Sequence, residues 1–151
     1  MKKLILSLLP AVIFIYTNGQ AAGRAFLANP CLSPDAQTVV FSFEGDLWKA
    51  SVKDGMATRI TAMQGYETNP RISPDGKWIA FTGRQFGNAD VFIMPLAGGD
   101  IKQLTFHSGG DIVNNWSWDS KKIYFTSNRT GNISAFSVSI DGGTPERLFG
   151  D

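Results

Sequence analysis

The chain has 151 residues, with 14 basic and 13 acidic side chains, one His and one Cys. That length suits a single domain, and a formal charge of +1 offers no electrostatic footprint for nucleic acid or an anionic membrane surface. A composition that is 43% hydrophobic and 18% charged excludes a disordered chain, and the lone Cys31 excludes an internal disulfide and a cysteine-based zinc cluster.

The chain opens with Met1-Lys2-Lys3, an uncharged and mostly apolar run from Leu4 to Tyr16, and the small-residue stretch Gly19-Gln20-Ala21. This three-part layout predicts a secretory signal peptide over residues 1–21, too short for a stable membrane span. Cleavage after Ala21 would leave 22–151 as an exported protein, periplasmic or secreted, of a bacterial kind and with no membrane anchor. Cys31 is expected as a small buried residue on a strand.

An internal repeat follows. Pro30-Cys31-Leu32-Ser33-Pro34-Asp35 recurs as Pro70-Arg71-Ile72-Ser73-Pro74-Asp75 and more loosely as Asn114-Asn115-Trp116-Ser117-Trp118-Asp119. Phe41, Phe81 and Phe125 keep the same spacing inside the β-rich runs that come next. Asp46, Asp90 and Asn132 are expected to open a third strand in each copy, and Arg59-Ile60-Thr61, Gln103-Leu104-Thr105 and Arg147-Leu148-Phe149 to close it.

The local chemistry explains the unit. In Ser73-Pro74-Asp75-Gly76 the Ser and Asp side chains bond nearby backbone, Pro presets a dihedral and Gly completes a turn between two strands. Ala36-Gln37 in the first copy, and Trp118 and Ser120 in the third, are expected to loosen that turn. Gly98-Gly99 and Gly142-Gly143 turn the chain between later strands. No segment after residue 21 has a sustained helical period, so the fold class is all-β.

Four short strands per repeat of about 40 residues is the signature of a β-propeller. The predicted blades are 28–61, 69–105 and 114–149, joined by 62–68 and 106–113. Propellers close with about 4 to 8 blades, so residues 22–151 are expected to be part of an incomplete ring whose chain continues past Asp151.

The chain offers little for chemistry. A Ser-His-Asp arrangement would need His107 with Ser108 or Ser117 and Asp111 or Asp119, and no Gly-x-Ser-x-Gly elbow accompanies any Ser. Glu44 with Asp46, or Asp54 with Asp100, could pair as acid and base, but turn or strand-entry bonding is the simpler role for an aspartate position that Asn132 can also fill. The aspartates lack calcium-loop spacing, and no phosphate loop is present. The expectation is therefore no catalytic, cofactor-binding or metal site. Trp118, replacing a proline in a turn, is the aromatic most open to a partner.

Several of these motifs carry a family resemblance. Ser73 to Lys77, Trp78 to Thr82, Gly87 to Phe92 and Lys102 to Thr105 resemble WD-repeat-like propeller blades. Phe43-Glu44-Gly45-Asp46-Leu47-Trp48, Leu104 to Asp111, Phe125 to Arg129 and Asp141 to Leu148 are similar to the first propeller of tricorn-type proteases. The resemblance covers about residues 28–151. It implies three blades of a six-bladed ring, the non-catalytic propeller portion of an exported serine protease. That portion would scaffold or gate peptide access to a downstream peptidase domain, with peptides, the remaining blades, and further copies of the chain in a homo-oligomer as its partners. Two other owners of such blades stay open: the protein-binding propeller of the Tol system, which has no enzymatic activity, and the propeller of prolyl-oligopeptidase-type enzymes.

Overall fold

The structure is a computed structural model that describes residues 27–149. The expected signal peptide lies outside these residues, as does Asp151. Among the described residues there is no helix, and twelve strands form three antiparallel sheets of four.

Blade 1 is built from β1 (Ala28–Leu32), β2 (Thr38–Phe43), β3 (Asp46–Ser51) and β4 (Ala57–Arg59). Blade 2 holds β5 (Glu67–Ile72), β6 (Trp78–Gly83), β7 (Asp90–Pro95) and β8 (Lys102–Gln103). Blade 3 holds β9 (Asp111–Trp116), β10 (Lys122–Thr130), β11 (Asn132–Ser139) and β12 (Glu146–Arg147). Each blade is a meander in sequence order, and β1, β5 and β9 lie side by side as its inner edge.

The turn between the first two strands is the same in all three blades. Ser33, Ser73 and Ser117 donate through Oγ to Asp35, Asp75 and Asp119, and each serine Oγ accepts the backbone N–H of Thr38, Trp78 or Lys122. The expected loosening in blades 1 and 3 does not occur. The departures from Gly act on the backbone instead, since Ala36 (φ 57°) and Ser120 (φ 61°) occupy the left-handed region that Gly76 (φ 71°) fills without a Cβ penalty. Bonding to Ser33, Ser73 and Ser117 holds the three aspartate carboxyls below their ordinary range.

Strand alternation sends neighbouring side chains to opposite sheet faces, and in blade 2 both faces are covered. Ile79 and Phe81, with Ile72, Phe92 and Met94, pack against Val40 and Leu47 of blade 1. Ala80, Val91, Ile93 and Leu104 pack against Val113, Trp116, Ile123, Phe125, Phe136 and Val138 of blade 3. Phe81 stacks on its cross-strand partner Phe92 (centroids 5.6 Å apart), and Phe125 on Phe136 in the same way (5.7 Å). The far face of blade 1 carries Phe41, Phe43 and Trp48 around an open hollow of about 470 Å³.

Three expectations shift. β5 and β9 begin at Glu67 and Asp111, inside the segments read as connections. Cys31 is half-buried rather than buried, its Sγ accepting the Ile72 N–H at 3.3 Å. Asn132 is not the equivalent of Asp46 and Asp90. The cross-strand pairs Phe43↔Asp46, Gly83↔Asp90 and Ser127↔Ser134 put Ser134 there, because the β10–β11 hairpin carries Asn132 two residues earlier.

Candidate functional site

The polar groups that the fold gathers lie at the two blade junctions and along the inner edge. At the first junction the Leu47 N–H donates to Thr61 Oγ1 (2.7 Å), whose hydroxyl donates to Glu67 Oε2 (2.8 Å). The Glu67 N–H reaches back to the Gly45 carbonyl of blade 1 (2.7 Å). Glu67 is fully buried. Burial pushes its carboxyl up to about 7, helped by the nearby Asp46 carboxylate and opposed by the Thr61 bond. Arg59 stays on the surface against Asp46, with Nη1 to Oδ2 at 3.2 Å.

The second junction repeats the frame. The Val91 N–H donates to Thr105 Oγ1 (2.9 Å), Thr105 donates to Asp90 Oδ1 (3.3 Å), and the Asp111 N–H reaches the Ala89 carbonyl (2.7 Å). Here the cation is inside: Arg129 Nη2 donates to the fully buried Asp111 Oδ2 at 2.6 Å. Its guanidinium lies over Phe125 and Phe136, 5.2 and 4.9 Å from their centroids. Burial and the Asp111 charge push the Asp90 carboxyl up.

Along the inner edge, side chains lace neighbouring blades together. Arg71 Nε donates to the Asn114 carbonyl (2.8 Å), and Trp116 Nε1 donates to the Arg71 carbonyl (2.8 Å). Asn114 and Asn115 are exposed there. These bonds tie β5 to β9 and leave the two exposed amides beside them.

A sequence model described as the tricorn protease N-terminal beta propeller domain matches residues 24–150. The chain belongs to that family. The tricorn protease homolog 1 of Streptomyces coelicolor is 38% identical over 86 residues, which is 57% of this chain and 8% of the homolog. The crystal structure of the tricorn protease superposes with a TM-score of 0.72 at 23% identity, covering 82% of this chain and 13% of that one. TolB from Acinetobacter baumannii superposes with a TM-score of 0.70 at 25% identity, covering 80% of this chain and 32% of that one. The chain thus spans a third or less of each of these three proteins.

Within this tricorn-family propeller, the residues singled out from the sequence are dispersed. His107 is exposed and its Nδ1 accepts the Gly109 N–H (2.8 Å). Ser117 and Asp119 are bonded to each other in a turn, and Asp111 pairs with Arg129 rather than with His107. Glu44 is exposed in a tight hairpin at φ 52°, while Asp54 accepts the Met56 N–H in another turn. Asp100 is exposed. Trp118 is 93% exposed, as a residue open to a partner would be. Sequence reasoning missed Thr61, Glu67, Thr105 and Arg129. The recurrence of Thr61, Glu67 and Asp46 as Thr105, Asp111 and Asp90 at one constant offset was the available signal.

Proposed function

We propose that this segment is the non-catalytic propeller portion of an exported tricorn-like serine protease, periplasmic or secreted, and that it guides peptides toward a peptidase domain elsewhere in the assembly. The observation that carries this reading is membership of the tricorn amino-terminal propeller family, joined by the exposed amides that β9 adds to the row of first strands β1, β5 and β9. Exposed amides such as Asn114 and Asn115 can bond a passing backbone without holding one side chain, which suits transit rather than tight binding. Remaining blades, the peptidase domain and further copies of the chain are its expected partners.

The test uses the intact protein with Cys31→Ser as background and Asn114→Cys coupled to a bulky maleimide. Hydrolysis of a peptide of some twenty residues should fall several-fold on labelling, while a short chromogenic peptide is cleaved at an unchanged rate. Equal rates on both substrates before and after labelling would defeat the gating role. Absence of any peptidase activity in the intact protein would favour a binding propeller like TolB, the second reading that the TolB superposition supports.

A further inference from the structure

Blade 2 departs from its neighbours at one surface position. In every blade the first residue of the register-matched third strand lies near a fourth-strand residue fixed by cross-strand pairing, Trp48↔Arg59, Phe92↔Gln103 and Phe136↔Arg147. In blade 1 that fourth-strand residue, Arg59, holds Asp46. In blade 3 Arg147 Nη2 donates to Ser134 Oγ at 3.0 Å. Blade 2 has Gln103 where the others have arginine, and Gln103 Nε2 turns away to the Thr105 carbonyl (2.8 Å).

What Gln103 leaves is a pocket of about 340 Å³ lined by Phe86, Asp90, Gln103 and Phe106. Phe86 and Phe106 are 64% and 78% exposed, whereas Asp90 is 2% exposed. Two large aromatics held in water around a sunken carboxylate need a reason, because burial is their usual fate. The charge count points the same way. Asp90 and Asp111 sit together with Arg129, and Arg129 is committed to Asp111 and to its own pair of rings.

We propose that this pocket receives the arginine side chain of a docking peptide segment, its guanidinium pairing with Asp90 between Phe86 and Phe106. The same chemistry already operates one step away, where Asp111 pairs with Arg129 over Phe125 and Phe136. A guanidinium suits the site better than an ammonium, because its flat, weakly hydrated face rests on aromatic rings while its edge bonds a carboxylate. The pocket opens at the hairpin end of blade 2, apart from the inner edge, so the assignment does not depend on peptides passing along that edge.

The experiment is fluorescence anisotropy of the intact protein with a labelled Gly/Ser decapeptide carrying one central arginine. Saturable binding is expected, weakened about tenfold or more when citrulline replaces arginine and by a smaller factor when lysine does. Gln103→Arg should supply the missing guanidinium from within, as Arg59 does beside Asp46, abolishing binding while leaving the protein folded with an equal or higher Tm. Asp90→Asn should weaken binding by about tenfold. Equal affinity for the citrulline peptide, undiminished binding by Gln103→Arg, or no saturable binding of the arginine peptide would each overturn the assignment.

Discussion

The two blade junctions share one backbone frame and solve the same electrostatic problem differently. Both bury an acid at the start of the incoming blade and anchor its N–H on the preceding hairpin. At the second junction the acid is paired with Arg129, whose Nη2 lies 2.6 Å from Asp111 Oδ2. At the first, Glu67 has Thr61 as its bonded partner, and the arginine lies outside against Asp46. A buried carboxylate can be tolerated by pairing or by holding its proton, and one repeat can use both. The first solution makes stability depend on pH, while the second makes it depend on one side chain.

The most disruptive way to break the contrast is Arg129→Met, which leaves Asp111 buried and unpaired beside Asp90. A loss of about 3–5 kcal/mol is expected in urea unfolding; a loss under about 1 kcal/mol would mean that the ion pair does not organise the junction. Phe81→Ala and Phe125→Ala probe the apolar half of each junction, where the two should behave alike. Each is expected to cost about 3–5 kcal/mol by removing a fully buried, stacked ring. A markedly smaller cost at Phe81 alone would show that the first junction relies on its apolar contacts less than the second.

Glu67→Gln sharpens the comparison through pH. The folded carboxyl lies at about 7 against an ordinary 4.5, so the folded state binds the proton more tightly than the unfolded chain. Glu67 therefore costs nothing below about pH 4.5, and its penalty grows as pH rises through that window, levelling off above 7 at up to about 3 kcal/mol. Glu67→Gln should flatten this slope and stabilise the protein above neutrality, read as Tm against pH. An unchanged slope would assign the pH dependence to other groups. Arg59→Gln, which removes a pair that is half solvent-exposed, should shift stability by less than about 1 kcal/mol.

The fold was largely readable because its determinants are local and repeated: the Ser-Pro-Asp turn, the Phe41, Phe81 and Phe125 spacing, and the alternation of Ile79, Ala80 and Phe81 between two faces. The junction chemistry was not, for two physical reasons. Glu67 and Asp111 sit in stretches of polar, turn-like composition, and their strand character comes from pairing with Gly83 and Ser127 rather than from their own propensity. Arg129 has Gln85 at the matching place in blade 2, so no comparison of copies could have marked it. Hairpin length misled in the same way at Asn132, since counting residues along the chain does not report cross-strand register.

The backbone bonds from Glu67 to Gly45 and from Asp111 to Ala89 join each blade to the one before it, independently of the hydrogen bonds within either sheet. Their two amide hydrogens act as separate clocks for blade parting, because each can exchange with solvent when its junction opens while both sheets stay intact. Different rates at Glu67 and Asp111 would order the two seams in time and show which blade the propeller releases first.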